Sequence, residues 1–322
     1  MPANIAHILI AHTAYKKQEK LNPDIHDYIM SKNNLFYLGS LGPDLPSYKT
    51  SKLIEAAFNQ LLIRPFVDQL NPQEEDASFF LHSTHANLFP FYLMETNFSF
   101  ADMENGEVVT NDFNAAVYAF TLGYVTHVAA DQIIHRLVRE LIGPYYRNLE
   151  TSQKHSECEV YQDVFLLAEI KKNINIDKVL PTEIINIDKL GFDVERFCNM
   201  YSLAISKAGY TRMDREYIAS WINGMQFAFD KMDDLGPIAK AMKHYEEHKD
   251  KIETSPYYRL YYKNDITKLN YRDYFDKAVD ISITYMNEIA RLWNGKDFSL
   301  DSFNKYQHVI STEDLTSPLR KL

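Results

Sequence analysis

Residues 115–130 form a nearly unbroken apolar run, interrupted in its last turns by His127 and followed at once by Asp131 and His135. A helix that is hydrophobic on every side must be covered by neighbours, and this one is too short and too soon charged to span a bilayer. It therefore calls for other helices around it. Elsewhere apolar residues recur at spacings of three and four, strand signals are scarce, and Asn, Asp, Ser, Thr or Pro stand where helices should begin. Helices are expected to start after Asn4, after Asn22-Pro23, around Ser51 and Asp76, at Asp112, near His155, at Asp193 and Asp214, near Gly236-Pro237 and at Tyr271. The expected fold class is all-α, a multi-helix bundle. Two breaks are expected: residues 39–46, where two Gly and two Pro imply an irregular loop around Asp44, and an extended connector over residues 170–190.

The chain has 322 residues, 46% hydrophobic and 24% charged, enough to bury a large core as an ordinary folded protein. Its net charge of −10 argues against a stable nucleic-acid partner, because the basic footprint that grips phosphate backbones is missing. Two cysteines, Cys158 and Cys198, make neither a disulfide framework nor a Cys-x-x-Cys motif, so any metal must rest on His and carboxylates. The first ten residues carry no basic leader and no long apolar run, so the expected location is cytoplasmic, without a transmembrane segment.

His127, Asp131 and His135 lie at i, i+4 and i+8, a spacing that drifts about 40° per step and so lines one stripe of a helix. The two His are roughly 12 Å apart along the axis, too far to share one ion with bonds near 2 Å. A metal site on this stripe must hold more than one ion, with Asp131 placed to bridge. His155 and Glu159 repeat the i, i+4 spacing on a second helix. Further candidates are His7, Asp44, and either His82 or His85; His85 also fits a substrate-contacting position. Phe89 and Phe91, close after His82, are candidates for a substrate-lining wall, with core packing as the simpler reading. For each His alone, the simpler reading is a buried side chain satisfied by hydrogen bonds; three ligand-type residues in strict register on an apolar helix weigh against it. Eight of the eleven His precede residue 170, so the expected organisation is a single domain over residues 1–322, with a metal-binding core in 1–170 and a helical C-terminal extension in 171–322.

The ordered set His7, Asp44, His82, His127-x-x-x-Asp131, His135 and His155-x-x-x-Glu159 resembles the bacterial zinc-dependent phospholipase C family, whose wider superfamily includes single-strand-specific zinc nucleases. The resemblance covers roughly residues 1–170. It implies an all-α bundle with a three-zinc cluster in a cleft: one zinc on Asp44, His82, His127 and Asp131, a second on His135, His155 and Glu159, and a third on His7, Asp131 and main-chain atoms near the N-terminus. Secreted members present an N-terminal Trp to the third zinc, whereas this chain begins Met1-Pro2, so two or three zinc ions are expected.

Zinc is redox-inert and lowers the pKa of bound water toward about 7, which suits hydrolysis at phosphorus. The expected activity is zinc-dependent hydrolysis of a phospholipid or other phosphate ester, with Asp131 bridging and Asp44 orienting or deprotonating water. The aromatic run at residues 257–262 leaves peripheral membrane contact open. Two alternatives stand beside this reading: a carboxylate-bridged di-iron or di-manganese oxidase on a helical bundle, and a non-catalytic zinc-binding protein.

Overall fold

A computed structural model describes residues 4–48, 86–99, 102–104, 107–109, 111–142, 193–210, 213–230 and 271–310, with shorter pieces at 77, 80–82, 154, 158–159, 162–163 and 166. The architecture is all-α apart from one small hairpin. Helix α1 (Asn4–Leu21) is followed by α2 (Pro23–Ser31), α3 (Asn33–Gly39) and a 3-10 helix (Gly42–Tyr48). Then come α4 (Leu88–Ser99), strands β1 (Asp102–Glu104) and β2 (Glu107–Val109), α5 (Asp112–Ile142), α6 (Val194–Lys207), α7 (Arg215–Asp230), α8 (Tyr271–Gly295) and α9 (Leu300–Val309).

Capping chemistry explains several boundaries. Asn22 accepts a hydrogen bond from the Ile25 N–H with Pro23 in the first turn of α2, and Asp193 and Ser299 cap α6 and α9 in the same way. The helices expected after Asn4, after Asn22-Pro23, at Asp112, Asp193, Asp214 and Tyr271 appear at those places. The short pieces at 77 and 80–82, and at 154 and 158–159, are helical, as expected after Asp76 and near His155. The helices expected around Ser51 and near Gly236-Pro237, and the connector over residues 170–190, lie outside the described residues.

One expectation is corrected. Residues 42–48 are not irregular: Pro43 and Pro46 fix backbone angles that a 3-10 turn tolerates, and the Asp44 N–H bonds back to the Leu41 carbonyl at 3.0 Å. The near absence of strands has an exception, since β1 pairs antiparallel with β2 in the register Asp102 to Val109 and Glu104 to Glu107. The sequence between the strands is Asn105-Gly106, the pair most favoured for joining two antiparallel strands.

Helix α5 is the axis of the molecule. It packs against α8, α3, α4 and α1, and every residue from Ala116 to Ala130 is buried, Val117, Phe120, Tyr124 and Val128 completely. Its approach to α3 is close. A methyl group on Gly123 would lie 1.9 Å from the Phe36 carbonyl oxygen, and one on Gly39 would lie 2.0 Å from the Phe120 carbonyl oxygen. The two backbones touch because both positions are glycine. That contact presents the Ser40 carbonyl, at the end of α3, to the face of α5 that carries His127.

Candidate metal centre

Five pieces of chain converge on Asp131. Helix α1 supplies His7, the 3-10 helix supplies Asp44, the helical residues 80–82 supply His82, α5 supplies His127, Asp131 and His135, and the helical residues 158–159 supply Glu159. Asp131 Oδ1 lies 3.3 Å from His7 Nε2 and 3.5 Å from His135 Nε2. Its other oxygen, Oδ2, lies 3.3 Å from His127 Nε2 and 3.7 Å from His82 Nε2. His82 Nε2 is also 3.2 Å from Asp44 Oδ1, and His135 Nε2 is 3.4 Å from Glu159 Oε1. One carboxylate thus touches four imidazoles.

The His127 ring is oriented from behind. Its Nδ1 is 2.8 Å from the Ser40 carbonyl oxygen, which only accepts, so Nδ1 carries the proton and Nε2 of the neutral ring is a bare lone pair. That lone pair faces another acceptor, Asp131 Oδ2, across 3.3 Å. The His7 ring stacks on His127 with centroids 3.7 Å apart and planes 5° from parallel. Both oxygens of Asp131, Asp44 Oδ2, His127 Nε2 and His7 Nδ1 are buried without a hydrogen-bond partner. Each such atom costs about 1–3 kcal/mol, and acceptors facing acceptors are what a bound cation resolves. Among the described residues, two triads have ligand atoms within 4.8 Å of one another: His7, Asp44 and His127, and His82, His127 and Asp131.

The shifts of His7, Asp44 and Asp131 agree with ligation, which needs neutral imidazole and ionised carboxylate. Burial, assisted by the neighbouring His127, pushes His7 down to about 3. Burial pushes Asp44 upward, but His127, His82 and His7 outweigh it and hold the carboxyl below its usual range. In Asp131 burial is likewise outweighed, by His135, His127 and His7, and the carboxyl is held well below the ordinary value. A histidine with a depressed pKa contributes stability that is whole above its unfolded value near 6.5 and is lost as pH falls toward about 3. In the metal-free protein His7 is therefore expected to stay neutral by NMR as pH is lowered from about 8 to about 5; a His7 titration midpoint above about 6 would contradict this.

His7, Asp44, His82, His127, Asp131, His135 and Glu159 are brought together, while His85 and His155 lie outside the described residues. Phe89 and Phe91 are not brought to the cluster. Phe89 packs 4.5 Å from the Tyr201 ring and 5.0 Å from Tyr124, and Phe91 packs 4.9 Å from Phe303 and 5.3 Å from Tyr306. They seat α4 on α6 and α9 as core side chains, the simpler of the two readings, and do not form a wall at the cluster. Beside the cluster is a small recess lined by His7, Asp131, His135, Glu159 and Gln162, with Ala6, Ile10, Ala130 and Ile134 as its apolar sides.

Three supporting groups are not among the residues expected from the sequence. The Ser40 carbonyl has no side-chain signature at all. Asp163 accepts the Ala6 N–H at 2.9 Å and so ties the start of α1, and with it His7, to the segment bearing Glu159; burial pushes its carboxyl well above the usual range. Tyr285 of α8 donates to Gln132 Oε1 at 2.6 Å, fixing α8 beside the stripe. Of the three, only Asp163 leaves a usable mark: with Gln162 it follows Glu159 by four and three residues and so prolongs the helical spacing of His155 and Glu159.

A family model described as zinc dependent phospholipase C matches residues 6–208, beginning one residue before His7 and running past residue 170 through α6. No curated protein and no solved structure matches the chain.

Proposed function

The chain belongs to the zinc-dependent phospholipase C family, and from that membership we propose that it is a zinc-dependent phosphoesterase that hydrolyses the phosphodiester of a phospholipid head group. The observation that carries the proposal is Asp131, a buried carboxylate with both oxygens free of hydrogen bonds and four imidazole nitrogens within 3.7 Å. Among the described residues the donor set is four His with Asp44, Asp131 and Glu159, richer in nitrogen than the Glu-dominated sets of di-iron and di-manganese bundles.

In this reading Asp44, His82, His127 and Asp131 hold one zinc, His135 and Glu159 with His155 hold a second, and His7 with Asp131 contributes to a third. Bound zinc supplies Lewis acidity, making water nucleophilic at neutral pH and offsetting the charge of a phosphoester. The chain's own contributions are distinct. Asp131 spans both halves of the cluster through its two oxygens. Asp44, held ionised by three imidazoles, is placed to accept a proton from water at the cluster's edge. The Ser40 carbonyl keeps His127 in one tautomer. No helix among the described residues is long and apolar enough to cross a membrane.

The test is hydrolysis of phosphatidylcholine micelles and of a soluble aryl phosphodiester before chelation, after chelation, and after zinc is restored. Activity is expected to vanish with the zinc and return with it. Cleavage of the soluble ester alone would replace the lipid by a smaller phosphate ester; hydrolysis that survives complete zinc removal would overturn the proposal.

A further inference from the structure

Gln162 is fully buried, yet neither its Oε1 nor its Nε2 has a hydrogen-bond partner. A buried amide left unpaired on both atoms is costly and needs an explanation. It lines the recess with His7, Asp131, His135 and Glu159, and of these five polar side chains it alone is not of a metal-ligand type. Its place is fixed, because the adjacent Asp163 is anchored to the Ala6 N–H at 2.9 Å. A neutral side chain offering two N–H donors and one acceptor, held rigidly against an anionic cluster, is built to meet something that enters the recess.

We propose that Gln162 is the substrate-binding amide of this site, its Nε2 donating to a non-bridging oxygen of the phosphate ester while its Oε1 accepts from a water held alongside. An amide suits this better than a charged group would. A Lys or Arg would pair permanently with Glu159 or Asp131, and a further carboxylate would repel the phosphoryl oxygens. The unpaired state in the free protein is the counterpart of a bond made only when an oxyanion arrives, a common arrangement where function is set above stability. This inference rests on the phosphoesterase reading.

The experiment compares the wild type with Gln162→Leu and Gln162→Glu in three measurements: zinc content per chain, binding of inorganic phosphate to the zinc-loaded protein by calorimetry, and thermal unfolding of the metal-free protein. Leu is expected to weaken phosphate binding about tenfold or more, and Glu more strongly still, with zinc content unchanged. The metal-free Leu variant is expected to melt no lower than the wild type, since an unpaired amide has been removed. Equal phosphate affinity in all three proteins would overturn the proposal. So would a lower melting temperature in the Leu variant, which would make the amide structural, or a loss of zinc, which would make it part of the metal site. A wild type that takes up no zinc and binds no phosphate would overturn the phosphoesterase reading along with it, whereas a wild type that loads zinc and hydrolyses, with variants that bind phosphate equally well, would overturn this inference alone.

Discussion

Replacing Asp131 with asparagine is expected to strip the cluster of most of its zinc and to cut phosphoester hydrolysis at least about a hundredfold, while the fold survives. The size of the effect follows from geometry. Oδ1 faces His7 and His135 at 3.3 and 3.5 Å, and Oδ2 faces His127 and His82 at 3.3 and 3.7 Å, so one side chain serves every part of the centre. The amide keeps the shape but loses the charge and turns one acceptor into a donor. The wild-type carboxyl is held well below its usual value; its contribution to stability is therefore present above the unfolded value near 3.8 and lost only as pH falls through the lower folded value. Zinc per chain measured beside the hydrolysis rate checks the prediction, and a variant with full zinc and full activity would refute it.

The second large effect is expected far from any ligand. Gly123→Ala places a methyl 1.9 Å from the Phe36 carbonyl oxygen and 2.8 Å from the Ser40 nitrogen. Neither atom is the end of a flexible side chain, so α3 must move off α5, at a cost of about 3 kcal/mol or more. Movement there also carries the Ser40 carbonyl away from His127 Nδ1, so loss of stability and loss of zinc affinity should appear together. Gly295→Ala, whose added methyl meets nothing within 4 Å, is the control and should be close to neutral. Urea unfolding of both variants with zinc present and absent separates the two effects. A Gly123→Ala variant as stable as the control would mean that the α3 and α5 backbones are not in contact.

What is legible in the sequence divides by range. The stripe of His127, Asp131 and His135 can be placed because helical periodicity is local, and the proposal that the site holds more than one ion rests on the distance between its ends. The helix starts at Asn22, Asp193 and Ser299 obey the same local chemistry, although the one at Ser299 is not among the expected starts. His7, Asp44 and His82 come from elements far apart along the chain, and no spacing rule joins them; only their order, which resembles that of a known family, places them. Phe89 and Phe91 are ambiguous in the sequence because apolar residues just after a ligand look the same whether they line a cleft or fill a core. The Ser40 carbonyl is invisible, since a backbone acceptor leaves no mark on residue type. Gly39 and Gly123 are plain in the sequence, but only the crossing of α3 over α5 shows why neither position holds a side chain.

We propose that the buried cluster around Asp131 is a polynuclear zinc centre. The most direct measurement is anomalous diffraction from crystals of the zinc-loaded protein, recorded on both sides of the zinc absorption edge. At least two zinc peaks are expected, one on the His82 and His127 side of Asp131 and one on the His135 and Glu159 side. A single peak, or peaks only on the protein surface, would contradict it.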